Sequence, residues 1–340
     1  MVSMAGGPLD RLGRPVRDLR LSVTDRCNFR CPYCMPRTMF GPDHAFSPRA
    51  DLLTYEELSR LVAIFADLGV TKVRLTGGEP LLRRDLEALV AMIAGTPGID
   101  DIAVTTNGSL LAERAAPLRD AGLRRVTVSL DSVDADVFAA MADSKVTLAT
   151  VLEGLAAARD AGLGPVKLNT VVQRGINDHG LLELVDYARS HGDVLRFIEY
   201  MDVGTSNGWV RDQVVSAEEI IDAVNAVYPL EPVAPAVRGE VARRWRYVDG
   251  GGELGVISSV TQPFCTDCTR ARVTATGELF TCLFAASGRD VREVLRRGAS
   301  DVELREFITG VWSRRSDRYS ELRSTNTYQL AKADMSYLGG

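Results

Sequence analysis

The sequence predicts an α/β fold, an incomplete (β/α)6 barrel of TIM type whose open side is closed by a smaller C-terminal α+β region. Three observations carry this. Over the first two-thirds of the 340 residues, short runs rich in Val, Ile and Leu alternate with amphipathic helical patterns, the signature of parallel strands joined by right-handed helical crossovers. Strand ends such as Thr105-Thr106-Asn107-Gly108 and Ser129-Leu130-Asp131 turn polar where a barrel builds its working face. Only six such units can be counted, two short of a closed barrel, and the pattern changes after about Trp209.

The strands are expected at residues 18–23, 71–75, 101–105, 124–130, 166–172 and 194–201. Thr54 opens the first helix, because Glu57 completes a capping box and Leu58, Leu61, Val62, Phe65 and Leu68 follow at helical spacing. Gly69 stands where that helix should stop. Further helices are expected over 83–94, 110–121, 146–161 and 181–191. Ser216 with Glu219 forms a second capping box. Beyond it lie a stretch with three prolines at 229–237, three glycines at 250–252, strand-like pieces near 254–258, 271–275 and 279–282, and helices near 291–297 and 302–312. The expected division is a partial barrel over 1–215 and a C-terminal region over 216–340.

Composition excludes several classes. Hydrophobic residues at 46% and charged residues at 25% are ordinary for a globular protein. No apolar run approaches the roughly 20 residues of a membrane helix. The N-terminus lacks a basic start before an apolar stretch, so a cytoplasmic protein is expected. A net charge of −5 argues against broad nucleic-acid binding, though not against a small anion held by local arginines. Only three histidines are present.

The six cysteines fall into two trios. Cys27, Cys31 and Cys34 follow the first strand; Cys265, Cys268 and Cys282 lie in the C-terminal region. Grouped cysteines in a cytosolic chain point to metal or redox chemistry rather than disulfides. A cubane cluster is normally held by four thiolates, so a trio leaves one iron open to an N/O-donor ligand. A structural zinc site closes with four protein ligands. For the first trio the alternatives are a cluster, a zinc site completed by His44, or redox thiols; for the second, cluster and zinc stand level on spacing.

Cys27-Asn-Phe-Arg-Cys31-Pro-Tyr-Cys34 resembles the signature of radical S-adenosylmethionine enzymes. Thr76-Gly-Gly-Glu-Pro80, Thr105-Thr-Asn-Gly108, Val128-Ser-Leu-Asp131, the segment from Arg196 through Met201 to Gly204, Phe264-Cys-Thr-Asp-Cys-Thr-Arg270-Ala-Arg272 and the terminal Gly339-Gly340 extend the resemblance to the GTP 3′,8-cyclase family. It runs from about Pro15 to the end. Residues 1–14 and 143–147 are least similar and carry no motif.

The resemblance implies two [4Fe-4S] clusters, one per trio, and S-adenosylmethionine contacted by Tyr33, Gly78, Ser129 and Met201. It implies GTP held by Arg20, Arg74, Thr105, Lys167, Arg270, Ala271 and Arg272, with Arg196 a further candidate. Arg20, Arg270, Arg272, Gly339 and Gly340 are the expected catalytic group, the glycine tail reaching into the site. The implied partners are an electron donor such as flavodoxin or ferredoxin and a downstream cyclic pyranopterin monophosphate synthase. The implied assembly is a monomer or homodimer. Physically, Arg20, Arg74 and Lys167 stand out because they interrupt apolar strands, and an inward cation is costly without an anion to meet it.

Overall fold

Alternation within each strand decides what this barrel does with its interior. In the computed structural model, which describes residues 7–204, 207–236, 239–323 and 332–339, the six expected strands form as β1 (Asp18–Ser22), β2 (Lys72–Thr76), β3 (Asp101–Thr106), β4 (Arg125–Ser129), β5 (Lys167–Val172) and β6 (Val194–Glu199). Each pairs in parallel with the next. Leu19, Leu21, Val73, Leu75, Val126, Val128, Leu168, Leu195 and Phe197 point outward into one hydrophobic core. The residues between them, including Arg20, Arg74, Thr127, Lys167 and Arg196, line a central cavity. A one-residue slip would exchange the two sets.

The outer layer that buries this core comprises α1 (Tyr55–Asp67), α2 (Leu86–Ala94), α3 (Leu111–Asp120), α4 (Ala135–Ala142), α5 (Leu148–Asp160) and α6 (Leu181–His191). The Thr54/Glu57 box caps α1 as its sequence requires. Of these, α4 was not expected; Asp134 caps it by accepting from the N–H groups of Asp136 and Val137, and its eight residues are too few for a clear period.

The C-terminal region adds α7 (Ala217–Asn225), opened by the Ser216/Glu219 box, then β7 (Leu230–Val233), β8 (Arg243–Tyr247), β9 (Glu253–Ile257), β10 (Arg270–Val273), β11 (Glu278–Phe280) and β12 (Arg289–Asp290). It ends with α8 (Val291–Arg296), α9 (Asp301–Ser313), α10 (Tyr319–Leu322) and α11 (Met335–Leu338). The prolines around residue 232 mask β7, which sits at the sheet's end, the position where a strand tolerates a missing donor.

The strand order is β12-β11-β10-β1-β2-β3-β4-β5-β6-β9-β8-β7. The C-terminal region thus extends both free edges of the six-strand unit. β10 runs parallel to β1 and β9 parallel to β6, while antiparallel strands continue outward on each side. β9 and β10 are not paired with each other, so the barrel stays open. No helix among the described residues is long and apolar enough to cross a membrane.

Candidate active site

The loop after β1 is stitched to the loop after β2. Gly78 N–H donates to Thr24 O at 2.8 Å and Glu79 N–H to Arg26 O at 2.7 Å. A side chain at Gly77 or Gly78 would strike those carbonyls, and Gly77 has φ +147°, so the glycines permit the approach. The Glu79 carboxylate is buried and accepts from Thr106 Oγ1 and Asn107 N–H, both at 2.7 Å. Burial pushes it up to about 7 despite these bonds. It braces the site from behind.

This stitching presents Cys27, Cys31 and Cys34 to a cavity of about 1000 Å³. Cys27 Sγ accepts from Phe29 N–H at 3.4 Å and Asn107 Nδ2 at 3.9 Å. Burial pushes Cys27 up to about 11 and Cys34 up to about 12, so these thiols stay neutral until a metal displaces their protons. His44 lies outside the cavity lining, its ring between Phe40 and Phe46 with centroids 4.6 and 4.7 Å away. It is therefore not drawn up as a fourth ligand. Tyr33, Gly78, Ser129 and Met201 all line the same space; the Tyr33 hydroxyl donates to Asp131 at 2.6 Å, and burial raises Asp131 to about 6.

Cys265, Cys268 and Cys282 line the same cavity. A single 3-10 turn, Cys265–Asp267, carries the first and is capped at its C-terminal end by the second, and Cys282 follows β11. Cys282 Sγ accepts from Phe284 N–H at 3.5 Å and Cys268 Sγ from Arg270 Nη2 at 3.8 Å. Burial alone would raise Cys268, but Arg270 and Arg315 outweigh it and bring the thiol down to about 6. All six cysteines are free. Among the described residues, no three Cys, His, Asp or Glu side chains converge on a position for one metal ion. The donor sets suit a polynuclear iron–sulfur group, with protein N–H groups already directed at the sulfurs.

Between the trios lies a row of cations. β1 pairs Arg20 with Arg74 on one side and with Arg272 on the other, so three guanidiniums stand side by side. Burial and neighbouring arginines lower Arg20 well below the usual range, Arg74 to about 10 and Arg272 to about 9. Burial with Arg196 and Arg125 lowers Lys167 to about 7. Among the described residues none of Arg20, Arg74, Lys167, Arg196, Arg270 and Arg272 forms a salt bridge. Arg74 is held by Thr105 and Thr127 hydroxyls, to which it donates at 2.9 and 3.0 Å. Such a row raises the local potential for a polyanion.

Among the lining cations that sequence reasoning missed, two stand on the barrel strands, Lys72 and Arg125. Burial, against Asp18, leaves Lys72 at about 8, while Arg125 pairs with Asp101. Both occupy inward strand positions, two before Arg74 and four before Ser129, and alternation would have found them. Ala271, expected at the nucleotide, faces the core instead, fully buried. Its position between Arg270 and Arg272 turns its side chain outward, and only its backbone remains for a ligand.

The tail is seated. Gly339 carbonyl accepts from Arg272 Nη1 at 3.0 Å. Gly339 has φ +71°, and a Cβ there would lie 2.6 Å from Thr76 Cγ2. Upstream, Lys332 Nζ donates to the Asp202 carboxylate at 2.6 Å and to its carbonyl at 3.0 Å, tying the tail to the residue after Met201. Gly340, the last expected catalytic residue, lies outside the described residues.

The chain matches the Radical SAM superfamily model over residues 21–188 and the Molybdenum Cofactor Synthesis C model over 193–321. It is 58% identical to the GTP 3′,8-cyclase of Acidothermus cellulolyticus over 322 residues, covering 94% of this chain and 89% of that one. It is 46% identical to the GTP 3′,8-cyclase of a Staphylococcus aureus strain over 335 residues, 97% and 98% of the two chains. Among solved structures, SuiB of Streptococcus suis bound to S-adenosylmethionine aligns at a TM-score of 0.60 with 14% identity, over 94% of this chain and 76% of that one. That last likeness concerns the fold. On the identity and coverage of its curated relatives, the chain belongs to the GTP 3′,8-cyclase family of the radical S-adenosylmethionine superfamily.

Proposed function

We propose that the chain uses S-adenosylmethionine to convert GTP to (8S)-3′,8-cyclo-7,8-dihydroguanosine 5′-triphosphate, as a lyase at the first step of molybdopterin synthesis, with GTP lying between two [4Fe-4S] clusters. The observation that carries this is that both cysteine trios and the inward cation row line one cavity. When bound, the first cluster and S-adenosylmethionine supply the 5′-deoxyadenosyl radical for which the family is named.

The protein's part is binding, orientation and exclusion. Cys27, Cys31 and Cys34 hold the first cluster, and Tyr33, Gly78, Ser129 and Met201 surround S-adenosylmethionine. Cys265, Cys268 and Cys282 would hold the second cluster, which with three thiolate ligands would supply an iron able to bind the guanine. Arg20, Arg74, Lys167, Arg196 and Arg270, with Thr105 beside them, take up the triphosphate; planar guanidiniums suit it because they bind phosphate in bidentate fashion. Arg272 and Gly339 close the chamber where β1 and β2 end, which keeps a reactive intermediate from water. In this reading residues 1–215 are the radical-generating unit and 216–340 supply the second cluster and the tail. The remaining elements of the reading are a flavodoxin or ferredoxin as donor, hand-over to cyclic pyranopterin monophosphate synthase, a monomer or homodimer, and a cytoplasmic setting.

The test is incubation of anaerobically reconstituted, reduced protein with GTP and S-adenosylmethionine. Release of 5′-deoxyadenosine together with a cyclised nucleotide is expected; 5′-deoxyadenosine without any GTP-derived product would overturn the assignment.

A further inference from the structure

Behind the second trio lies a charged network that the proposed reaction does not use. It begins in the N-terminal turn closed by the bridge between Leu9 and Pro15, in the stretch where the sequence shows no motif. The Asp10, Arg14 and Arg315 side chains are at most 1% exposed. One Asp10 oxygen accepts from the backbone N–H groups of Leu12 and Arg14, both at 2.9 Å. The other meets Arg14 Nε at 2.6 Å and Arg315 Nη1 at 3.3 Å. Enclosing two guanidiniums with one carboxylate is unfavourable unless their remaining donors are well used.

Those donors go to the cysteine loops. Arg14 Nη1 donates to Cys265 O at 2.5 Å and to Asp317 O at 3.0 Å. Arg315 Nη1 donates to Cys268 O at 2.7 Å. The Asp317 carboxylate, 3.5 Å from Arg315 Nε, accepts from Thr281 Oγ1 at 2.6 Å, one residue before Cys282. Each of the three cysteines thus has its own strut. Trp312 fastens the frame to α9, donating from Nε1 to Arg14 O at 3.0 Å with the Arg315 guanidinium 4.6 Å above its ring. Arg14 Nη2 is buried with no hydrogen-bond partner among the described residues, and Arg14 and Arg315 both border the cavity. Two guanidiniums, balanced by the Asp10 and Asp317 carboxylates, therefore stand directly behind the second trio.

We propose that Asp10, Arg14 and Arg315 are positioning residues for the second trio. They set the spacing of Cys265, Cys268 and Cys282, and with it how tightly that trio holds its metal group, independently of the first trio. The proposal rests on the reading of the second trio as a cluster site.

Three variants test it. Arg315→Met removes the charge at similar volume, Arg315→Lys restores a cation, and Thr281→Val removes only the strut beside Cys282, so it folds even where Arg315→Met does not. Reconstituted proteins are titrated anaerobically with an iron chelator, and iodoacetamide labelling of each cysteine is read by mass spectrometry. In Arg315→Met, Cys265, Cys268 and Cys282 should become labelled at about 10- to 100-fold lower chelator, the range for lost outer-shell partners. Cys27, Cys31 and Cys34 should follow wild type, Arg315→Lys should recover part of the shift, and Thr281→Val should show a smaller shift of the same sign. Unchanged labelling of the second trio, or both trios shifting together, would overturn the proposal. Should wild-type Cys265, Cys268 and Cys282 label fully without chelator, the cluster reading fails and not the frame. The frame then stands only if Arg315→Met speeds their labelling, and falls if the rate is unchanged.

Discussion

Arg20 shows how a single side chain can be wrong for stability and right for function. Its register partners on both sides are arginines, and like charges placed opposite one another destabilise a sheet. Arg20→Met should leave the melting temperature of the nucleotide-free protein unchanged or raised, since it removes a buried cation among cations. GTP affinity should fall about tenfold or more, the worth of a charge-assisted hydrogen bond. Calorimetric titration and a melting curve decide it; a lower melting temperature with unchanged affinity would contradict the assignment. Lys167 adds a pH dependence. Burial depresses it from 10.5 to about 7, so in the empty protein its charge is lost as pH rises through about 7, while the unfolded chain keeps it to about 10.4. Above pH 7, GTP binding must return the proton. Affinity should weaken from pH 7 to 9, with proton uptake detectable in buffers of different ionisation enthalpy. Lys167→Arg, which stays charged, should abolish that uptake; equal uptake in variant and wild type would remove Lys167 from the site.

At the scale of elements, strands were legible because burial on both faces of a parallel sheet leaves a strong apolar signal, and the same alternation revealed Arg20, Arg74 and Lys167 as inward. It failed where that signal is absent. β8 reads Arg-Arg-Trp-Arg-Tyr and lies toward an edge, so charge rather than hydrophobicity dominates it. α11 has four residues and makes tertiary contacts that no local pattern announces: Tyr337 meets Thr276 and Phe280, and just upstream Lys332 pairs with Asp202. The tail's place came from resemblance, whereas its sequence alone reads as a frayed end. Gly339→Val tests that element. The positive φ and the contact with Thr76 should expel the tail, leaving the barrel folded. 5′-Deoxyadenosine release should continue, while cyclised product falls by about a hundredfold, as expected for misplaced reacting groups. A fully active variant would show that the seat on Arg272 is incidental.

For the whole molecule, the sheet binds the two ends of the chain into one unit. β10 covers the edge at β1 and β9 the edge at β6, so the C-terminal region extends the open barrel on both flanks. This could not be read from a count of β/α units, because parallel pairing across some 250 residues leaves no periodic trace. Calorimetry should accordingly record one cooperative transition, not two; separate melting of residues 1–215 would contradict a shared sheet. The same architecture brings cysteines from distant segments to a common chamber, and both trios stand or fall together as the basis of the reading. The most direct measurement is iron and acid-labile sulfide per chain after anaerobic reconstitution. About eight of each are expected, four for each cubane. About four of each, or zinc at the second trio without sulfide, would contradict it.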